Sequence, residues 1–208
     1  MTAIIDYGVG NLFSLESSFK KIGETAVICA DEDIIAKADR IILPGVGAFS
    51  DAAQKLKKSG MGNALLKAAS DGKPVMGICL GMQLLFDKSY EYGEFDGLGI
   101  INGNVVSMAP KVTNLKVPHM GWNALRFNNG THPLFKYIKN GDFVYFVHSY
   151  YAECDQESII ATSEYGIDIT AAVADKNVMG CQFHPEKSGE VGLNILRAFC
   201  EMKAGAIC

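Results

Sequence analysis

The chain has 208 residues, with 19 Lys+Arg against 23 Asp+Glu and a formal net charge of −4. Hydrophobic residues make up 49% and charged residues 20%, which excludes a disordered tail protein and predicts one compact domain over residues 1–208. A slightly acidic chain without a Lys/Arg block lacks the electrostatic footprint that phosphate backbones require, so nucleic-acid binding is not expected.

The opening Met1-Thr2-Ala3-Ile4-Ile5-Asp6 has no cationic segment, and Asp6 cuts off its apolar run, so no export signal is expected. Apolar stretches elsewhere fall well short of the roughly 20 residues that span a bilayer. The cysteines Cys29, Cys79, Cys154, Cys181, Cys200 and Cys208 form no C-x-x-C pair, a usage that fits the reducing cytoplasm.

In chain order, Ala3 to Ile5 reads as a buried strand, followed by the turn Gly8-Val9-Gly10-Asn11 and a helix over Leu12 to Ile22 with Leu12, Leu15, Phe19 and Ile22 on one face. Thr25 to Cys29 and Arg40 to Leu43 are the next strands. Pro44-Gly45-Val46-Gly47 follows, then helices over Ala52 to Lys58 and Gly62 to Ser70, with C-cap chemistry at Asp71-Gly72-Lys73. Pro74 to Ile78 carries no charge and reads as a strand buried on both faces, with Leu80 to Phe86 as the helix after it. This alternation is that of βα units feeding a parallel sheet.

The second half changes character. Ile100 to Ser107, Asn123 to Phe127, Phe143 to His148, Ile159 to Thr162, Ile169 to Ala174 and Val178 to Gln182 read as strands of mixed direction. Polar turns such as Asn128-Asn129-Gly130 and Asp175-Lys176-Asn177 join them. Ser188-Gly189 opens a last helix, whose stripe of Val191, Ile195, Leu196 and Phe199 would cover a sheet face.

The chemistry concentrates in two segments. In Gly77-Ile78-Cys79-Leu80-Gly81 a buried strand is followed by Cys between glycines at −2 and +2 and then a helix, the pattern of a nucleophile elbow with Cys in the Ser position. The glycines permit a strained turn and close backbone approach, and the N-terminus of the helix would favour thiolate. In Phe183-His184-Pro185-Glu186, His184 and Glu186 follow a strand and reach the carboxyl edge of the sheet. A neutral His can take the thiol proton and return it to a leaving amine, while a carboxylate fixes its tautomer. Together these residues make a candidate Cys79-His184-Glu186 triad. The amides of Val46 and Gly47, with that of Leu80, could hold a tetrahedral oxyanion. His119, His132, His148 and His184 lack ligand spacing, so no metal is expected, and without a Walker or dinucleotide glycine pattern no other cofactor is expected either.

Pro-Gly-Val-Gly, Gly-Ile-Cys-Leu-Gly-Met-Gln and Phe-His-Pro-Glu, in this order and spacing, resemble the class I (triad) glutamine amidotransferases over essentially the whole chain. Asp6-Tyr7-Gly8-Val9-Gly10-Asn11, Pro118-His119-Met120-Gly121-Trp122-Asn123 and Tyr145-Phe146-Val147-His148-Ser149-Tyr150 are similar to the branch of glutaminase subunits of imidazole glycerol phosphate synthase.

The resemblance implies a single-domain, flavodoxin-like α/β sheet flanked by helices, with its elbow at Cys79. It implies that Gln83, Glu91, His148, Ser149 and Tyr150 hold glutamine. It further implies a heterodimer with a (βα)8-barrel cyclase subunit, met through Asn11, Trp122 and Lys187. A paralogue feeding another synthase, a free-standing cysteine amidase or peptidase, and a non-catalytic regulatory subunit stay open at this point.

Overall fold

The computed structural model describes residues 1–128 and 130–205. The strands are β1 (Thr2–Ile5), β2 (Ala26–Cys29), β3 (Arg40–Leu43), β4 (Val75–Ile78), β5 (Phe86–Ser89), β6 (Phe95–Asp96), β7 (Ile101–Ser107), β8 (His119–Ala124), β9 (Arg126–Phe127), β10 (Phe143–His148), β11 (Tyr150–Cys154), β12 (Ile159–Glu164), β13 (Asp168–Asp175) and β14 (Val178–Cys181). The helices are α1 (Leu12–Lys21), α2 (Glu32–Lys37), α3 (Phe49–Lys58), α4 (Met61–Ser70), α5 (Leu80–Gln83) and α6 (Gly189–Cys200).

The central sheet has eight strands in the order β2-β1-β3-β4-β14-β13-β12-β9. It is parallel from β2 to β14 and antiparallel from there to β9. Strand alternation divides its core between two faces. Ile4, Ile42, Met76 and Ile78 join Leu15, Phe19, Ile195 and Phe199 of α1 and α6 on one face. Ala3, Ile5, Ile41, Leu43 and Val75 join Ile35, Leu56, Met61 and Leu65 of α2, α3 and α4 on the other. The sheet is thus an α/β layer covered on both sides, as the alternating βα pattern of the first half requires. Among the described residues, no helix is long and apolar enough to cross a membrane.

Two expectations from sequence need adjustment. The helix expected over Leu80 to Phe86 ends at Gln83, and Phe86 opens β5. The carbonyls of Leu84 and Leu85 accept from the Leu98, Ile100 and Ile101 amides, so a tertiary ladder replaces the next helical turn. The strand expected over Asn123 to Phe127 is two strands in different sheets, because β8 pairs with β10 while β9 pairs with β12. The buried Leu125 makes the crossing, its amide donating to the Asp142 carbonyl.

The short helix α2, capped by the Asp31 carboxylate on the Asp33 and Ile34 amides, has too few residues to show a helical period. The strand expected over Phe143 to His148 is β10 of the two-stranded sheet, and after Ser149 the chain continues as β11 of the four-stranded sheet β11-β7-β5-β6. Asn129, expected in a turn, and Cys208 lie outside the described residues.

Candidate active site

Strand β4 ends at Ile78 and leads straight into Cys79, whose backbone sits at φ 54° and ψ −112°. A positive φ is costly for a residue with a Cβ and persists only where the surroundings impose it. The surroundings here are backbone. The Cys79 amide donates to the Cys181 carbonyl at 2.8 Å, and its carbonyl accepts from the Gln83 amide at 3.2 Å. A Cβ on Gly77 would stand 2.6 Å from the Gly81 carbonyl oxygen, so the elbow closes only because both positions are glycine. The helix that follows is a single turn, and the dipole argument made from a longer helix does not carry over.

Strand β14 delivers the second group. His184 is 2% exposed, its amide donating to the Tyr145 carbonyl, and its Nδ1 donates to Glu186 Oε1 at 2.8 Å. The turn is fixed from behind: Ser188 Oγ donates to the His184 carbonyl and accepts from the Tyr145 amide. Helix α6 packs so closely that a Cβ on Gly192 would stand 1.9 Å from the Pro185 carbonyl oxygen. With Nδ1 committed to Glu186, Nε2 is the ring nitrogen left for Cys79. Burial alone would lower the His184 pKa, but hydrogen bonding and charge from Cys79 and Glu186 outweigh it and hold the imidazole at about 9. The site therefore favours a protonated imidazole beside the sulfur.

The loop after β3 reaches the same elbow. Tyr7 Oη donates to the Pro44 carbonyl at 2.8 Å, and burial, then the charge of Cys79, push its phenol upward, so it stays a donor. A Cβ on Gly45 would stand 2.6 Å from the Gly81 nitrogen and 2.9 Å from Leu80 Cβ. Gly47 has φ 91°, and Val46 is 41% exposed. The loop carrying Val46 and Gly47 thus lies beside Leu80.

Gln83, 5% exposed, donates from Nε2 to the Tyr150 carbonyl at 3.1 Å and to Gln182 Oε1 at 3.0 Å. The Tyr150 carbonyl also accepts from His148 Nδ1 at 2.9 Å. His148 Nε2 must then accept, which it does from His119 Nδ1 at 3.0 Å. Burial is the main cause that lowers His148 to about 3 and His119 to about 4, so both rings are neutral. Glu91 stands apart from this chain. It is half-buried, and its Oε2 accepts from the Phe49 amide at the start of α3. Its neighbour Tyr92 presents its ring edge-on to Tyr150 at 6.1 Å. Ser149 contributes its carbonyl to the Met108 amide.

Trp122 is 55% exposed rather than part of the core, and its ring meets Tyr145 at 6.2 Å. Lys187 Nζ lies 6.0 Å from the same Tyr145 ring, so Trp122 and Lys187 flank one surface aromatic next to the His184 turn. Asn11 sits at the start of α1 with no capping side-chain hydrogen bond. A surface hollow of about 710 Å³ between α3, α4 and the β6 segment is lined by none of Cys79, His184 and Glu186.

Sequence reasoning named none of Gln182, His119, Tyr7 and Ser188 as a site residue. Gln182 was the most accessible of these, since a buried amide two residues before His184 has to find partners at the end of β14.

The glutamine amidotransferase class-I family model matches residues 3–202. The chain is 52% identical to the imidazole glycerol phosphate synthase subunit HisH of Caldanaerobacter subterraneus subsp. tengcongensis, covering 97% of this chain and 98% of that one. It is 49% identical to the same-named subunit of Lactococcus lactis subsp. lactis, covering 95% and 96%. Among solved structures, a glutamine amidotransferase superposes with TM-score 0.74 at 17% identity over 96% of this chain and 97% of the other. PurLQS from Thermotoga maritima gives a TM-score of 0.71 at 20% identity, covering 96% of each chain.

Proposed function

The chain belongs to the class I glutamine amidotransferase family, and from that premise we propose that Cys79, His184 and Glu186 are its catalytic triad. The protein is a glutaminase, the subunit of imidazole glycerol phosphate synthase that supplies ammonia for histidine biosynthesis. The acceptor chemistry belongs to a separate cyclase subunit, which yields imidazole glycerol phosphate and aminoimidazole carboxamide ribotide. A (βα)8 barrel joined as a heterodimer is the form of partner we propose. Asn11, Trp122 and Lys187 are the proposed contacts, supported by the exposure of Trp122 beside Tyr145 and Lys187.

Residues 1–208 are proposed to work as one amidotransferase unit in the cytoplasm, a compartment in which the unpaired thiols Cys29, Cys79, Cys154, Cys181 and Cys200 remain reduced.

The geometry supports the following course for the proposed reaction. The Cys79 sulfur, as thiolate, attacks the side-chain carboxamide carbon of glutamine, and the carbonyl electrons move to oxygen. Amides of Val46, Gly47 and Leu80 are the proposed donors to that oxyanion. Protonated His184 gives its proton to the amide nitrogen, the C–N bond breaks and ammonia leaves, with a glutamyl thioester on Cys79. Neutral His184 then takes a proton from water, the resulting hydroxide adds to the thioester carbon, and the C–S bond breaks to release glutamate and restore the thiolate. Glu186 holds Nδ1–H throughout and stabilises each imidazolium.

Glutamine is proposed to be held by Gln83, Glu91, His148, Ser149 and Tyr150. The two donor hydrogens of Gln83 are already engaged, which leaves its Oε1 to accept from the substrate.

The observation that carries this reading is His184 bound to Glu186 at 2.8 Å and poised against a nucleophile held at positive φ. The test is to assemble the chain with a cyclase subunit and supply glutamine and the phosphoribulosyl aminoimidazole carboxamide substrate. Glutamine-dependent formation of imidazole glycerol phosphate is expected. Assembly that responds to added ammonia but never to glutamine would contradict the reading.

A further inference from the structure

Gln182 has no exposed surface, and its amide reaches in two directions. Oε1 accepts from Gln83 Nε2 at 3.0 Å, while Nε2 lies 3.7 Å from Cys79 Sγ, a donor distance appropriate to sulfur. Its backbone amide donates to the Ala171 carbonyl at 2.9 Å, which fixes the side chain's origin on the sheet.

The orientation of this amide is not free. Gln83 Nε2 spends one hydrogen on the Tyr150 carbonyl and the other on Gln182 Oε1. Turning the Gln182 amide over would set NH2 against NH2 and bring an acceptor oxygen to the sulfur. Two buried groups would lose their partners, and a thiolate would face a lone pair instead of a donor. Donor direction therefore runs in one sense, with Gln83 donating to Gln182 and Gln182 donating to Cys79.

We propose that Gln182 is the neutral N–H donor that holds the Cys79 thiolate in its attacking orientation, and that it ties this sulfur to Gln83. The proposal deepens the glutaminase reading and rests on Cys79 being the nucleophile. His184 cannot supply the same service throughout the cycle, because it gives up its proton to the leaving nitrogen. An amide N–H never titrates in the working range, so its hydrogen bond to sulfur is available before attack and again when the thiolate is expelled.

The test compares Gln182→Glu and Gln182→Met in the complex with the cyclase subunit, measuring kcat and KM for glutamine and the rate of Cys79 alkylation by iodoacetamide. Ammonia-supported synthesis reports that each variant is folded and assembled. The side chain introduced by Gln182→Glu, read at the alkaline end of the active pH range where it is ionised, would still accept from Gln83 but present only acceptor oxygens to the sulfur. This variant is therefore expected to keep KM within about threefold while kcat and alkylation each fall about tenfold or more, as loss of a hydrogen bond to a charged group implies. Gln182→Met removes both contacts and should lower kcat and alkylation while raising KM.

Wild-type kcat and alkylation in Gln182→Glu would overturn the proposal. So would a fall in kcat with unchanged alkylation, which is the mark of a packing role. If a buried carboxylate prevents folding, unchanged alkylation in Gln182→Met overturns it by itself. Glutamine hydrolysis by Cys79→Ala would instead overturn the parent reading, so the two failures are distinguishable.

Discussion

A Cβ on Gly81 would stand 1.9 Å from the carbonyl oxygen of Leu43, so the nucleophile elbow and the end of β3 meet backbone to backbone. That contact also sets the loop from Pro44 to Gly47 beside Leu80. No side-chain rearrangement relieves it, because the obstructing atom belongs to the main chain. Gly81→Ala is expected to destabilise the protein by about 3 kcal/mol or more. Gly62 makes the contrast: it lies in α4 with its nearest neighbour at 3.5 Å, an ordinary contact. Gly62→Ala should be neutral or stabilising by up to about 1 kcal/mol. Urea unfolding of the two variants checks both, and equal midpoints would refute the steric account of the elbow.

In the proposed mechanism His184 and Glu186 do different work, one moving the proton and one orienting the ring. Glu186→Gln keeps a hydrogen-bond partner near Nδ1 but removes the charge that helps hold the imidazole at about 9. Glutamine turnover should fall by about 10- to 1,000-fold in Glu186→Gln and further in His184→Ala. Equal rates for wild type and His184→Ala at saturating glutamine would remove the imidazole from the mechanism.

His119 and His148 are expected to make the protein acid-sensitive. An unfolded imidazole takes up its proton near 6.5, whereas burial delays this to about 4 for His119 and about 3 for His148. Below 6.5 the unfolded chain therefore binds more protons, and stability declines as the pH falls towards 4. At about pH 5 the pair accounts for a loss on the order of 2–4 kcal/mol relative to neutral pH. Thermal melting should show Tm dropping over this window, with a shallower slope in His119→Asn. Parallel slopes in the two proteins would contradict the assignment.

Trp122 is the chain's only tryptophan, so its fluorescence is unmixed with any other. Titration with the cyclase subunit is expected to change its emission and to raise the glutaminase rate together. The element we expect to respond is the peptide between Gly45 and Gly47, where glycine makes reorientation easy. Unchanged emission on verified assembly would place Trp122 outside the contact. Full glutaminase activity in the isolated chain would remove the need for partner control.

Most of the parallel half of the fold was legible because β-branched strands, glycine turns and amphipathic helices agree there at every level. Leu12, Leu15 and Phe19 announce α1, and Arg40 to Leu43 announce β3. Legibility ends where tertiary pairing decides. Leu84 and Leu85 continue a helical pattern, yet their carbonyls are taken by the 98–101 segment. Leu125 sits inside an apparent strand and instead passes the chain from one sheet to another. At the site, Cys79 and His184 are marked by their flanking glycines and by the strand before them. Gln182 and His119 carry no such mark, because their roles come from partners 103 and 29 residues distant, at Cys79 and His148.

The central claim is that Cys79 alone supplies the nucleophile while synthesis belongs to the partner. Its most direct test is Cys79→Ala, assembled with the cyclase subunit and assayed once with glutamine and once with ammonium salts. Glutamine-dependent synthesis should vanish while ammonia-dependent synthesis stays at the wild-type rate. Glutamine hydrolysis persisting in the folded, assembled variant would contradict the account.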